Sequence, residues 1–187
     1  ASDVYKRQHV YQKAIDDYTK IIELDPRYAE AYYGRGLSYA ILGQHQKAID
    51  DYTKAIELDP KNAGAYYGRG VSYRFLGQYR KAIDDYTKAI KLDPKNALYF
   101  WARGVVYLIL NQNWKAIHDF TKAIGLDPKL AKAYYSRGLA YSALKFPTAA
   151  CNDFYNAGLL YLKENQKTKA LPVSYTHLRA HETGRNL

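Results

Sequence analysis

Four arginines, Arg35, Arg69, Arg103 and Arg137, each stand directly before a glycine, and an aspartate recurs in step with them at Asp17, Asp51, Asp85, Asp119 and Asp153. A guanidinium is a planar fork of donors that can close on one carboxylate or read an external anion. We expect the first use, a ladder of partly buried Arg–Asp pairs that fixes how helices sit against one another. Buried pairs of this kind specify geometry more than they add stability. The residue before the aspartate drifts from Asp16, Asp50 and Asp84 to His118 and Asn152.

The other reactive side chains offer little chemistry. Cys151 is the single cysteine, so neither a disulfide framework nor a cysteine metal site is available. It lies beside Ala149 and Ala150 at an apolar helical position, which predicts a buried thiol rather than a nucleophile. His9, His45 and His118 are scattered. His177 and His181 form an H-x-x-x-H pair with Glu182 beside it, a spacing that could hold zinc, but both fall in an end segment set aside below. The glycines recur at regular spacing and build no phosphate-binding loop. No catalytic residue, metal or cofactor is expected, and the chain is read as a non-enzyme.

The elements that would position these residues follow from a period. Leu58–Gly70 reads LDPKNAGAYYGRG, and close copies begin at Leu24, Leu92 and Leu126. Their prolines, Pro26, Pro60, Pro94 and Pro128, are spaced by 34 residues, and such a repeat decides the architecture before anything else does. Within each copy the apolar and small residues fall at helical spacing, as at Ala14, Ile15, Tyr18, Ile21 and Ile22 in the stretch from Val10 to Leu24. Asp-Pro ends one helix, because proline disfavours the α conformation of the residue before it. Asn62 and Asn96 are placed to cap the next helix. Gly43, Gly77 and Asn111 mark a break within each unit, where a left-handed cap suits them. Two antiparallel helices per unit, repeated in tandem, stack into a solenoid.

The ends read differently. DVYKRQ at Asp3–Gln8 and VSYTH at Val173–His177 can be encoded by opposite strands of one stretch of DNA. Written GAT GTG TAT AAG AGA CAG, the first segment has a reverse complement that gives the second when read from its third base. Residues 1–8 and 173–187 are therefore expected to be translated adapter from a shotgun sequencing library, outside fold reasoning. The expected layout is 9–28 as the second helix of a truncated repeat, full units at 29–62, 63–96, 97–130 and a divergent 131–164, and 165–172 as the start of a further helix.

The unit pattern resembles the tetratricopeptide repeat (TPR) of bacterial type. The family's aromatic and small positions are matched by Tyr32, Gly36, Tyr39, Ala48, Tyr52, Ala55 and Pro60 in the first full unit. Tyr66, Gly70, Tyr73, Ala82, Tyr86, Ala89 and Pro94 match in the second, and Phe100, Gly104, Tyr107, Ala116, Phe120, Ala123 and Pro128 in the third. The fourth keeps Tyr134, Gly138, Tyr141, Ala150, Phe154 and Ala157 but has Leu162 in place of the proline. The resemblance implies an all-α, right-handed superhelix of helix pairs whose first helices line a concave surface where a ligand lies. It would place Tyr33, Leu37 and Ile41 there, then Tyr67, Val71, Arg74 and Phe75, then Trp101, Val105 and Ile109, then Tyr135 and Leu139. Tyrosine and tryptophan give large contact area at low entropic cost, which suits an interface. Part of this stripe could instead pack between adjacent first helices.

The carboxylate clamp by which one TPR subtype holds chaperone tails is absent, since its positions carry Tyr33, Gly34, Leu37, Tyr67, Gly68 and Val71. A protein or peptide segment is the expected partner. The formal net charge of +10, and the basic balance that remains without Lys6, Arg7, Arg179, Arg185, Asp3 and Glu182, make single-stranded RNA the alternative. It is disfavoured because Lys47, Lys54, Lys81, Lys88, Lys115 and Lys122 lie on second helices, away from the aromatic stripe. They read as a solvated face, with Asp50–Lys54 and Asp84–Lys88 as i,i+4 pairs. No stretch approaches the length of a membrane span. The array could equally be the adaptor arm of a larger enzyme or membrane protein, and exposed ends could drive self-association. The compartment is open, with the cytoplasm slightly favoured.

Overall fold

The computed structural model describes residues 2–163, with side chains from residue 8 onward. The expected further helix at 165–172, the adapter at 173–187 and the pair His177 and His181 lie outside the described residues. The chain divides into two compact units between Pro94 and Lys95. The first holds α1 (Ser2–Leu24), α2 (Ala29–Ile41), α3 (His45–Leu58), α4 (Ala63–Phe75) and α5 (Tyr79–Leu92). The second holds α6 (Ala97–Ile109), α7 (Asn113–Leu126), α8 (Ala131–Ala143) and α9 (Pro147–Lys163). No strand occurs among the described residues. Helix α1 starts at Ser2 rather than near Val10, for nothing between them breaks a helix. The fourth unit's second helix, α9, runs past Leu160 to Lys163.

Local chemistry sets the helix ends. Asp25, Asp59 and Asp127 each accept a hydrogen bond from the backbone N–H two residues on, at 3.0 Å, closing an Asx turn across the proline. Asn62 then accepts from the Ala65 N–H at 2.9 Å and Asn96 from the Leu98 N–H at 3.1 Å, both as N-caps. Tyr28 and Leu130 occupy the same position without a side-chain cap. Every first helix ends in one double hydrogen-bonded turn. Gly43 donates to the Ala40 carbonyl and Gln44 to that of Tyr39, and the same two bonds recur after α4, α6 and α8. The first donor of each turn takes positive φ: Gly43 at 75°, Gly77 at 72°, Asn111 at 56° and Lys145 at 62°. The fourth had no marker in the sequence.

Packing is between neighbours. In the first unit α2 pairs with α3 and α4 with α5, while α1 lies against α2 and α3 against α4. In the second, α6 pairs with α7 and α8 with α9, and α7 lies against α8. The aromatic on each second helix is the centre of its pair. Tyr52, Tyr86, Phe120 and Phe154 are almost fully buried, each contributing roughly 1.5–3 kcal/mol of apolar burial. Tyr32 and Tyr39 pack around Tyr52 from partly exposed positions. Close approach requires glycine opposite these rings: a Cβ at Gly70 would stand 2.8 Å from Tyr86, and one at Gly68 would stand 2.5 Å from Tyr52.

Candidate functional site

The stripe expected on the first helices has two rows in depth. Tyr33, Tyr67 and Tyr135 are half-buried, and each rests its ring on the buried aromatic of its own unit. The centroid separations are 5.9 Å to Tyr52, 5.8 Å to Tyr86 and 5.6 Å to Phe154. Tyr33 also reaches α4, where a Cβ on Gly64 would lie 3.1 Å from its hydroxyl. These rings are therefore braced from behind. The outer row is apolar and open: Leu37, Ile41 and Ile109 are each 44% exposed, Leu139 38% and Phe75 59%. Val71 and Val105 are half-buried between the rows.

Polar groups lie among these apolar ones in both units. Arg74, in the last turn of α4, places its guanidinium 4.4 Å from the Phe75 ring centroid. His45 stacks on the same ring at 4.6 Å, nearly parallel. Burial and then the Arg74 charge push the imidazole below its usual pKa. Burial raises the Tyr86 hydroxyl, and the nearby Arg74 charge opposes this. That hydroxyl has no partner at full hydrogen-bond geometry, although Arg74 approaches it. In the second unit Trp101 donates from Nε1 to Ser136 Oγ at 3.1 Å. The Lys132 ammonium sits 3.9 Å from the Trp101 ring, and burial lowers its pKa.

The arginines close on the aspartates. Arg35 meets Asp51 through two bonds of 2.8 Å, and Arg69 meets Asp85 the same way. Arg103 meets Asp119 at 2.8 and 2.9 Å, and Arg137 meets Asp153 at 2.7 and 2.8 Å. The carboxylates are buried, and hydrogen bonding to them holds the guanidinium groups charged beyond their ordinary range. Tyrosines flank the forks, as Tyr66 and Tyr73 flank Arg69 at 5.7 and 5.9 Å. The sequence reading missed a third member, the threonine of the preceding second helix. Thr19 accepts from Arg35 Nη1 at 3.1 Å, Thr53 from Arg69 at 3.1 Å and Thr121 from Arg137 at 3.0 Å. Recurrence of threonine one repeat apart was the available signal. Asp17 stays exposed, 3.9 Å from the Lys20 ammonium, and joins none of these forks.

Several expectations are corrected. Lys54 pairs with Glu57 at 3.0 Å rather than with Asp50, whose carboxylate accepts from Gln46. Lys88 lies over the Tyr66 ring instead of on Asp84, and Lys47, Lys81 and Lys115 lie over Tyr39, Tyr73 and Tyr107. The lysine face is thus partly spent on tyrosine rings. Cys151 is half-buried rather than buried. Trp114, 61% exposed, and Phe146 form an edge-to-face pair at 5.8 Å that the sequence reading did not single out. A hollow of about 310 Å³ is lined by Gln8, His9, Gln12, Leu42 and Gln44, which converge on no acid–base pair. Among the described residues no three His, Cys, Asp or Glu side chains gather as a metal site would need, and no helix is long and apolar enough to cross a membrane.

Comparison with known proteins follows the same repeat boundaries. A tetratricopeptide repeat profile matches residues 29–62 and 63–96, and a second one matches 97–130. A TPR repeat profile matches 3–42. No match was found among curated proteins. Among solved structures, MamA is similar at 29% identity and a TM-score of 0.78, over 88% of this chain and 96% of that one. YrrB, described as a TPR protein with an unusual peptide-binding site, is similar at 27% identity and a TM-score of 0.63, over 88% and 97%. TTC0263, a thermophilic TPR protein of Thermus thermophilus, shares the fold at 18% identity and a TM-score of 0.71, over 90% of each chain.

Proposed function

This chain belongs to the tetratricopeptide repeat family, a fold of protein-interaction scaffolds, and on that premise we propose that its first helices hold a peptide or protein segment without acting on it chemically. The observation that carries this reading is the two-row stripe. Leu37, Ile41, Phe75, Ile109 and Leu139 are large apolar side chains left open on first helices, above braced aromatic rings. A rigid, half-buried aromatic row loses little entropy on binding, so contact made on it is retained as affinity. The peptide-binding site of YrrB, a protein of the same fold, supports the assignment. The four arginines are engaged by aspartates and act as register pins rather than anion readers.

The test is binding of display-selected peptides to the protein and to variants with Phe75→Glu or Ile109→Glu. Both side chains are open enough to leave the core intact, which circular dichroism checks. We expect each change to weaken binding at least tenfold. Affinity should fall by no more than severalfold between 50 and 200 mM salt, because apolar contact releases few counterions. Binding of poly(U) that collapses over that range would replace this reading with an RNA-binding one.

A further inference from the structure

Resting on the reading above, we propose that a segment bound on either unit is acidic as well as apolar, a carboxylate of it meeting Arg74 on the first unit or Lys132 on the second. The charged residues of α2, α4, α6 and α8 are Glu30, Arg35, Arg69, Arg74, Arg103, Lys132 and Arg137. Arg35, Arg69, Arg103 and Arg137 are each held by a buried aspartate at 2.7–2.9 Å and are not available to a ligand. Arg74 and Lys132 remain, and neither forms an ion pair with a described residue. Glu30 lies in the first turn of α2, whereas Arg74 lies in the last turn of α4.

Both cations are set against aromatic faces, Arg74 on Phe75 at 4.4 Å and Lys132 on Trp101 at 3.9 Å. A cation pressed on a ring is partly stripped of water without receiving a counter-charge. A carboxylate arriving there supplies that charge, and a charge-assisted hydrogen bond in a partly dry setting is stronger than the water contact it replaces. The apolar residues Ile41 and Val71 on the first unit, or Val105 and Leu139 on the second, take the uncharged side chains of the segment bound there. A purely apolar segment would leave the cation it covers unpaired, which is costly. An acidic and apolar segment therefore fits this face better than a neutral or basic one.

Trp101 and Trp114 are the two tryptophans, so Trp114→Phe leaves Trp101 as a reporter within the stripe. A random 12-residue peptide display library is selected on this protein near physiological salt. Selected peptides are then synthesised with their acids and again with Gln and Asn in place of Glu and Asp. We expect enrichment of Asp and Glu beside Leu and Phe, and about tenfold weaker binding of the amide versions. Arg74→Gln should weaken acidic peptides bound on the first unit severalfold, and Lys132→Gln those bound on the second, with the amide versions unmoved and circular dichroism unchanged. Selection of neutral or basic peptides that Phe75→Glu still disrupts overturns this proposal while the docking face stands. Peptides indifferent to Phe75→Glu and Ile109→Glu, or no selected peptide at all, overturn the docking face itself. Poly(U) bound through Lys132 with a steep salt dependence makes the partner a nucleic acid and also overturns the proposal.

Discussion

The arginine fork shows how one side chain can look like chemistry in a sequence and become framework in a structure. Arg69 spends Nε and Nη2 on Asp85 and Nη1 on Thr53, so three donors have acceptors and the Thr53 hydroxyl links one repeat to the next. Removing one member strands the other. Arg69→Leu leaves a buried carboxylate without its partner and should cost roughly 3 kcal/mol in a denaturant titration. Arg69→Leu with Asp85→Leu should recover much of the loss, since an apolar pair of similar volume needs no counter-charge. An unchanged midpoint for Arg69→Leu would remove the pair from any account of stability. His45 gives a second residue-level expectation. Its folded-state pKa lies below the unfolded value because burial, and then Arg74, disfavour the imidazolium. The unfolded chain therefore binds the proton first as pH falls. The contribution is intact above about pH 6.5 and is lost progressively as pH drops from there through the folded pKa. The effect is modest because the ring is partly exposed. Thermal melts should fall between pH 7 and pH 5 more for the parent than for His45→Gln.

At the scale of the helix, the turn after each first helix is one geometry met by different residues. Gly43 and Gly77 take positive φ without strain, Asn111 tolerates it, and Lys145 at φ 62° does not favour it. Lys145→Gly should raise stability by about 0.5–1 kcal/mol, measured as a shift in denaturant midpoint. Gly43→Lys should lower it by a similar amount. The converse constraint acts inside the helix, where Gly70→Ala would push a Cβ against the buried Tyr86 ring and should cost roughly 1–3 kcal/mol. Much of this was legible beforehand. The prolines, the Asn62 and Asn96 caps and the Gly or Asn breaks depend on local backbone chemistry, which the sequence carries in full. The turn at Lys145 was not legible, since the same hydrogen bonds form there without the residue that advertises them. The Thr19 and Thr53 contacts, the Trp101–Ser136 bond and the move of Lys88 onto Tyr66 were not legible for another reason. A period tells which positions are equivalent, but not which neighbouring helix a side chain faces. The stripe itself was placed from position alone, and only burial separates its braced rings from its open aliphatic rim.

At the scale of the whole molecule, stability in a tandem array is close to a sum of terms from each helix pair and its neighbours, because few contacts span more than one repeat. The aromatic that centres each pair and the arginine that pins it are both local. A lesion should then loosen its own pair and leave distant ones protected, rather than lower protection evenly. Arg137→Leu is a suitable probe, since it strands Asp153 within the α8–α9 pair and removes the link from Thr121 on α7. Amide hydrogen exchange, read by mass spectrometry under native conditions, should show faster exchange across α8 and α9, a smaller change in α7 and little in α2 and α3. An equal acceleration in α2 and α8 would mean that the chain opens as one cooperative body. The same pattern bears on binding, because a segment lying on the first helices of the second unit would protect α8 and restore what the lesion loosened. Adding a peptide selected on the second unit to Arg137→Leu should slow exchange in α8 more than in α9, which carries none of the open stripe residues.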